Sequence, residues 1–296
     1  MGLLNIRVKT EKDLFEIGKA FPANDWFFRG HSNRKWKLTP SIERYHKAYS
    51  PKDNKGNQIP LSAIEKNILR NYSVTDHFKS QPSRLNYDYI EKMIDLQHHG
   101  CATRLLDITS GFNDACFFTF SDSLLSSYEC GCCIWCFKVD ILKRHIREHG
   151  NNTIYKDLSK WDINKKAVDC FFDNMHEQKG VIVVGNLVEC QQARQNGLFL
   201  MNVSYKTKFI DEIYTLYKID DAEVTSEDKV EDYSSLKLEE YLLNDIIQII
   251  LVGTDFLKSC EKNISIDKAR NERNLFVKGL VPEIVALNRF VKGFEI

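Results

Sequence analysis

The spacing of apolar residues predicts three helices in the first hundred positions. The segment EKDLFEIGKA follows Thr10, which can cap a helix, and its apolar residues fall on one helical face. Apolar residues recur at helical spacing over residues 62–77 and again over residues 87–98. Between these segments, residues 46–60 are polar and contain two prolines and a glycine, which is typical of a loop.

Runs of β-branched, aromatic and other apolar residues predict a sheet. The predicted strands lie near residues 26–30, 131–139, 181–185, 198–203 and 207–217. The strongly apolar run Tyr241–Leu251 predicts a C-terminal helix. Together these elements predict an α+β fold, with a mixed, largely antiparallel central sheet and flanking helices.

A charged run over residues 220–235, DDAEVTSEDKVEDYSS, is the best candidate for an internal boundary. It divides the chain into a predicted core, residues 1–219, and a predicted helical extension, residues 220–296, that packs back on the core. The same run could also be a solvated loop within one unit.

Charge and composition narrow the class of protein. The 296 residues include 41 basic and 41 acidic side chains, so no global field recruits nucleic acid or an anionic membrane, although a local basic site is compatible with this balance. No apolar run reaches the roughly 18 residues of a membrane-spanning helix, so no membrane partner is expected. Nine cysteines without an apolar N-terminal signal predict free thiols in a reducing, cytoplasmic compartment.

Four cysteines raise the question of a metal site. Cys130, Cys132, Cys133 and Cys136 lie within seven residues on a predicted strand. Strand alternation places Cys133 on the opposite face from the other three, so four ligands cannot converge on one zinc ion. We therefore expect buried free thiols and no metal. Motifs of P-loop NTPases, kinases, zincins and serine hydrolases do not occur in the chain.

The strand that begins at Trp26 ends in Arg29 and Gly30, directly after three aromatic residues. This order predicts a guanidinium held by a buried strand, at a glycine where the backbone turns sharply and lets the cation reach an anion. A structural role is equally compatible with the sequence, because Arg29 could pair with Asp107 or Glu43 in an ion-pair network. For Arg104, three residues before Asp107, the structural role is favoured.

Three segments together resemble the FRG domain, a bacterial family named for its Phe-Arg-Gly motif. The first is Phe28-Arg29-Gly30, followed by Trp36, Leu38, Pro40 and Arg44; the second runs from Leu96 to Thr109 and continues to Ala115 and Phe118; the third is Gln195, Gly197 and Phe199. The C-terminal segment NLFVKGLVPEIVAL is also similar to the ending of many members. Cys101-Ala102 departs from the Leu-Pro pair that is usual before Thr103.

The resemblance implies a layout similar to that of ADP-ribosyltransferases, with NAD as the substrate. In that layout Arg29 clamps the phosphates, Thr109 or Ser110 faces the ribose, and a carboxylate stabilises the positive charge that develops when the nicotinamide bond breaks. Gln195 lies where a glutamate is expected, which leaves Asp107, Glu189 and Glu212 as carboxylate candidates. The proteins with which this family is associated imply a toxin or phage-defence effector. Such an effector would modify a protein or nucleic acid acceptor, or would only hydrolyse NAD.

The expected site joins two sets of residues. Those expected to take part in catalysis are His98, Asp107 and Gln195, and those expected to bind NAD are Arg29, Gly30, His31, Gln97, Thr103 and Thr109. Two alternatives stay open: a module that binds a nucleotide or a phosphorylated partner without breaking a bond, and a hydrogen-bonded network that only fixes the fold. The directions of the side chains distinguish a site on an open cleft from a buried network.

Overall fold

The computed structural model describes most of the first half of the chain and separate parts of the second half. The described residues are 2–72, 89–98, 100–121, 131–149, 180–184, 197–203, 206–220, 224, 229–236 and 238–263. None of the helices in these ranges is long and apolar enough to cross a membrane.

Eight described strands form one sheet, and this sheet is mixed and largely antiparallel, as predicted. They are β1 (Leu3–Val8), β2 (Trp26–His31), β3 (Leu105–Thr109), β4 (Cys132–Lys138), β5 (Val181–Val184), β6 (Gly197–Asn202), β7 (Val230–Asp232) and β8 (Ile246–Leu251). Their order across the sheet is β5-β6-β3-β2-β4-β8-β1-β7. Strand β1 runs parallel to both of its neighbours, β7 and β8, and the other neighbouring pairs are antiparallel.

The described helices connect and cover these strands. They are α1 (Glu11–Ala20), α2 (Ser41–Tyr49), α3 (Leu61–Tyr72), α4 (Tyr89–His98), α5 (Phe112–Ser121), α6 (Val139–His149), α7 (Phe209–Tyr217), α8 (Leu238–Tyr241) and α9 (Thr254–Asn263), with a short 3-10 turn at Tyr233–Ser235. The loop predicted at 46–60 begins later than expected, because α2 continues to Tyr49 and ends at Ser50, whose φ of 42° is left-handed.

The two faces of the sheet bury separate apolar clusters. On β2, Trp26 and Phe28 pack with residues of α1, α5 and α9, whereas Phe27 packs with residues of α6 and α7. This division follows from the alternation of side chains along a strand, and it gives three layers with the sheet in the middle. The α+β class predicted from the sequence is confirmed.

The sheet is least continuous between β2 and β3. These strands share a single residue pair, Phe28 with Thr109. Beyond that pair, Arg29, Gly30 and His31 still pair with β4, while Asp107 and its neighbours pair with β6. The two strands therefore separate beyond this one pair, and the gap between them forms a cleft.

The strand predicted at 207–217 is wrong, because this segment forms helix α7. Its buried residues Phe209, Ile213 and Tyr217 recur every fourth position, which is the period of a helix face. Glu43 reinforces the start of α7, since its Oε1 accepts a hydrogen bond of 3.0 Å from the backbone nitrogen of Phe209.

The helix predicted at Tyr241–Leu251 is also wrong. Its second half forms β8, in which all six residues are buried between β4 and β1. Four of the six are isoleucines, whose β-branched side chains favour strands, and a strand buried on both faces has no polar alternation to mark it. Strand β1 was not predicted, because Asn5 and Arg7 interrupt its apolar run.

Strands β7 and β8 come from the predicted C-terminal extension, and both pair with β1. The sheet therefore contains strands from both sides of residue 220. The division of the chain at that residue stays a prediction.

Candidate functional site

A cavity of about 680 Å³ lies where β2 and β3 part. Its walls come from β2, the turn that follows it, one face of α2, the end of β3, α5 and the start of β6. The lining residues are Phe28, Arg29, Gly30, His31, Ser32, Lys35, Trp36, Lys37, Thr39, Glu43, Arg44, Lys47, Asp107, Ile108, Thr109, Phe118, Gly197 and Leu198.

Arg29 is fixed at the gap between the strands. Its Nε donates a 2.9 Å hydrogen bond to Nε2 of His31, and its Nη1 donates to the backbone oxygen of Asp107. The Asp107 carboxylate lies 3.8 Å from the same Nη1. Nη2 has no hydrogen-bond partner among the described residues, so this edge of the guanidinium is available to a ligand in the cavity.

The charge of Arg29 is affected by its surroundings in opposite directions. Burial lowers the pKa of Arg29, the nearby Asp107 carboxylate raises it, and the positive charge of Arg44 lowers it again. An arginine stays protonated in proteins, so Arg29 remains a cation in these surroundings.

His31 is a neutral member of the site. The residue is 4% exposed, and burial together with the charge of Arg29 lowers its pKa well below the ordinary value. Because the Nε of Arg29 can only donate, Nε2 of His31 accepts, and the ring proton is on Nδ1. His31 thus orients Arg29 without competing with it for an anion.

The sharp backbone turn predicted at Gly30 is wrong, although Gly30 does line the cavity. It lies inside β2, paired with Ile134, and not at a turn. A Cβ at this position would collide with the backbone oxygen of Ala115 and the hydroxyl of Thr119, and would lie 2.7 Å from the backbone nitrogen of Thr119. The glycine therefore lets α5 press against β2 on the face opposite to the Arg29 side chain.

The lining is strongly basic for a protein with no net charge. Five of its side chains are cationic, Arg29, Lys35, Lys37, Arg44 and Lys47, against two carboxylates. One of these, Glu43, is already engaged at the start of α7, and burial raises its pKa. The other, Asp107, has a side chain that is 53% exposed.

Thr109 lines the cavity, but its hydroxyl already has partners. Oγ1 accepts a 3.0 Å hydrogen bond from the backbone nitrogen of Gly111 and donates to Asp114 at 3.3 Å. These bonds form the turn between β3 and α5, so Thr109 fixes the cavity wall. The contact between this hydroxyl and a ribose, which the resemblance implies, stays a prediction.

Gln97 and Thr103 belong to a separate network. The hydroxyl of Thr103 hydrogen-bonds to Oε1 of Gln97, and its backbone nitrogen donates a 3.0 Å bond to the hydroxyl of Ser41. Neither residue lines the cavity. This network joins the end of α4, the start of α2 and the segment before β3.

Two predicted catalytic residues cannot be placed. His98 ends α4, but its side chain lies outside the described part of the chain, and Gln195 lies outside it entirely. Gln195 precedes Gly197, a lining residue, by two positions. Glu189 is also outside the described residues, and Glu212 is on α7, away from the cavity lining.

Arg104 has the structural role that the sequence favoured. Its Nε donates to Glu65 at 2.7 Å, its Nη2 contacts the other oxygen of the same carboxylate, and its Nη1 donates to the backbone oxygen of Asn202 at 3.1 Å. Both side chains of this pair are more than nine-tenths buried. The pair joins α3 to the sheet beside β3.

The cysteines of β4 alternate between the two faces, as predicted. Cys132 and Cys136 belong to the cluster beneath α5, and Cys133 belongs to the opposite cluster. All three are free and buried, and burial raises the pKa of each thiol. Cys130 lies outside the described residues.

Several lining residues were not singled out as site residues from the sequence. They are Lys35, Trp36, Lys37, Glu43, Arg44 and Lys47. A signal was present on α2, because residues 43 and 44 lie four and three positions before residue 47, so each of them neighbours residue 47 on the helix surface. The Lys-Trp-Lys run was a second signal, since an aromatic residue between two cations is unusual for a core segment.

The comparisons with known proteins identify part of the chain. Residues 24–127 match the family model of the FRG domain, and every lining residue except Gly197 and Leu198 falls within that match. No curated protein and no solved structure matches the chain. The chain therefore carries an FRG domain over residues 24–127.

Proposed function

We propose that the cavity of the FRG domain binds a nucleotide-like small molecule through its phosphate groups. The observation that carries this proposal is the state of Arg29, whose guanidinium is held by His31 and Asp107 while Nη2 has no described partner. A guanidinium prepared in this way forms charge-assisted hydrogen bonds to phosphate oxygens with little loss of conformational freedom.

The surrounding charges support an anionic ligand. Arg44 lies close enough to Arg29 to lower its pKa, so two like charges face one cavity. No described carboxylate lies within ion-pair distance of Arg44, Lys35 or Lys47. A phosphate between these cations would relieve their mutual repulsion, which is a source of binding free energy that a neutral ligand lacks.

The dimensions of the cavity suit a small molecule. Pockets for such ligands have volumes of about 300–1,000 Å³, and the cavity has about 680 Å³. Its floor contains apolar side chains, including Phe28 and Phe118, beside the cations. A ligand with both an anionic and an apolar part matches this mixture, and a nucleotide has both.

Calorimetric titration with ADP and with pyrophosphate tests the binding. Arg29→Lys keeps the positive charge but loses the forked geometry, so we expect both ligands to bind about 10- to 100-fold more weakly, as for the loss of one charge-assisted hydrogen bond. Arg70→Lys, on the exposed end of α3 away from the cavity, is the matched control and should bind like the wild type.

Equal affinity in the wild type and the folded Arg29→Lys variant would contradict the proposal. A wild type that binds neither ADP nor pyrophosphate would contradict it as well. Circular dichroism and thermal unfolding of each variant separate a loss of binding from a loss of fold.

A second candidate function is the cleavage of NAD, which the exposed Asp107 favours. Its carboxylate is at the cavity and 3.8 Å from the proposed phosphate-binding arginine. In this reaction the bond between the ribose C1′ and the nicotinamide nitrogen breaks, the electron pair leaves with nicotinamide, and water or a macromolecular nucleophile attacks C1′. A carboxylate beside the sugar stabilises the positive charge that develops on it.

Nicotinamide release from NAD, measured with and without cell lysate, tests this candidate. We expect Asp107→Asn to reduce the rate at least about 100-fold, as for the removal of one transition-state-stabilising group, while NAD still binds. Asp140→Asn, at the exposed start of α6, is the control. No release by the wild type would leave the cavity as a binding site only, and an unchanged rate in Asp107→Asn would exclude Asp107 from the reaction. The acceptor and the effector role remain predictions.

A further inference from the structure

Trp36 is a large aromatic side chain that remains 47% exposed at the wall of the cavity. A ring that packs on both faces cannot retain so much exposed surface, and the same residue lines the cavity. Covering part of this apolar surface with a ligand would be favourable. Two other exposed aromatic residues, Phe15 and Tyr49, do not line the cavity.

The turn that carries Trp36 is fixed on both sides. The backbone nitrogen of Lys35 donates a 2.9 Å hydrogen bond to the Asn33 side chain, and that of Trp36 donates a 3.1 Å bond to the Asn33 carbonyl. Two residues later, Leu38 is fully buried in the apolar cluster that also contains Phe27. The exposed indole is therefore presented by a braced segment.

His31 connects Trp36 to the proposed phosphate site. Its imidazole accepts a hydrogen bond from Arg29 and contacts the Trp36 ring edge to face, with the ring centroids 6.2 Å apart. One imidazole ring thus separates the guanidinium from the indole. In a nucleotide, one ribose separates the phosphate from the base, so a single ligand can reach both.

From this arrangement we infer that Trp36 is a stacking platform for the base of the ligand, a nucleobase joined through a ribose to phosphate. The inference rests on the proposed phosphate site at Arg29 and adds the base as a required part of the ligand. Bases stack on aromatic side chains through their π-faces, and cations beside the platform attract the attached phosphates. Lys35 and Lys37 flank Trp36 in the sequence and line the same cavity.

The test compares ADP with pyrophosphate, which lacks the base and ribose, on the same variants. Trp36→Leu keeps an apolar side chain but removes the aromatic face, so we expect ADP to bind about 5- to 100-fold more weakly and pyrophosphate to bind as before. Trp36→Phe should recover part of the affinity for ADP. Phe15→Leu, a matched substitution of an exposed aromatic residue outside the cavity, should change neither affinity.

The outcomes separate this inference from the proposal on which it rests. If the wild type binds pyrophosphate and ADP equally, or if Trp36→Leu weakens both ligands to the same extent, the stacking platform is excluded while the phosphate site stands. If the wild type binds neither, the phosphate site itself is excluded and the inference with it.

A third ligand distinguishes a free nucleotide from a strand. A short oligoadenylate without terminal phosphates offers the same base and a phosphodiester chain. Tighter binding of ADP would assign the platform to a free nucleotide, and tighter binding of the oligoadenylate would assign it to single-stranded nucleic acid. Both results keep the base-and-phosphate chemistry, provided that Trp36→Leu weakens the preferred ligand.

Discussion

At the scale of single residues, the site combines two arginines that differ in their bonds to the fold. Arg29 replaces a missing strand partner, since its Nη1 donates to the backbone oxygen of Asp107 where β2 and β3 have parted. Arg44 makes no side-chain hydrogen bond or ion pair to a described residue, and its charge lowers the pKa of both Arg29 and His31. Its charge therefore repels that of Arg29, and the proposed anionic ligand would relieve this repulsion.

Arg44→Gln should separate these two effects. Without ligand we expect the melting temperature to stay unchanged or to rise by up to about 3 °C, because a repulsion of the order of 1 kcal/mol is removed. The rise in melting temperature that saturating ADP gives the wild type should be mostly lost, because that rise depends on affinity. Differential scanning calorimetry at low salt measures both quantities.

Arg70→Gln serves as the control for this substitution, since Arg70 is exposed and away from the cavity. A folded Arg44→Gln protein that melts several degrees lower without ligand, yet keeps the full response to ADP, would show that Arg44 stabilises the fold and does not bind the ligand.

At the scale of elements, the position of α5 depends on a single glycine in β2. Gly30 separates Arg29 from His31, and its missing Cβ leaves room for the backbone of α5 at Ala115 and Thr119. The turn at Thr109 leads into this helix and forms a wall of the cavity. Packing of the helix and shape of the site are thus coupled through one position.

Gly30→Ala should destabilise the protein by about 1–3 kcal/mol or more, because the added methyl group overlaps backbone atoms that cannot rotate away. Chemical denaturation monitored by circular dichroism measures the change. Adding Thr119→Ala should recover little, since it shortens one side chain and leaves the overlap with the Ala115 carbonyl. A denaturation midpoint equal to that of the wild type would mean that α5 can move without cost.

Elements also show what the sequence could and could not specify. The strand at Trp26 and the helix after Thr10 were predictable, because a clear apolar period or run and a cap defined them. The spacing of Phe209, Ile213 and Tyr217 is helical, but the many aromatic and β-branched residues around them favoured a strand. For Tyr241–Leu251 the error was reversed, since a strand buried on both faces has the uniform apolar character of a buried helix.

The site was predictable only in part for a related reason. Arg29, His31, Asp107 and Thr109 were found because they lie in recognisable segments, and the structure brings them to one cavity. Gln97 and Thr103 occur in equally recognisable segments but bond to each other away from it. Which polar residues face a cleft depends on how strands pair across the sheet, and local sequence does not encode that pairing.

At the scale of the whole molecule, charge is balanced in total and uneven in distribution. The chain has 41 basic and 41 acidic residues, yet the cavity lining has five cationic side chains and two carboxylates. Attraction for an anion is therefore local, and it should not extend far beyond the Debye length of about 8 Å at physiological ionic strength. This distribution favours a small ligand that enters the cavity over a polyanion spread across the surface.

The parting of β2 and β3 also affects how relatives of this chain should be compared. Loss of Arg29 would remove the hydrogen bond to the Asp107 carbonyl, so we expect a stable sheet to favour this arginine even in a relative that binds nothing. Arg44 makes no side-chain hydrogen bond or ion pair to a described residue, and the Trp36 ring contacts His31 edge to face while the residue stays 47% exposed. Among FRG domains, the Phe-Arg-Gly motif alone would thus indicate only common descent. The presence of Trp36 and Arg44 together would indicate that the domain still binds a ligand.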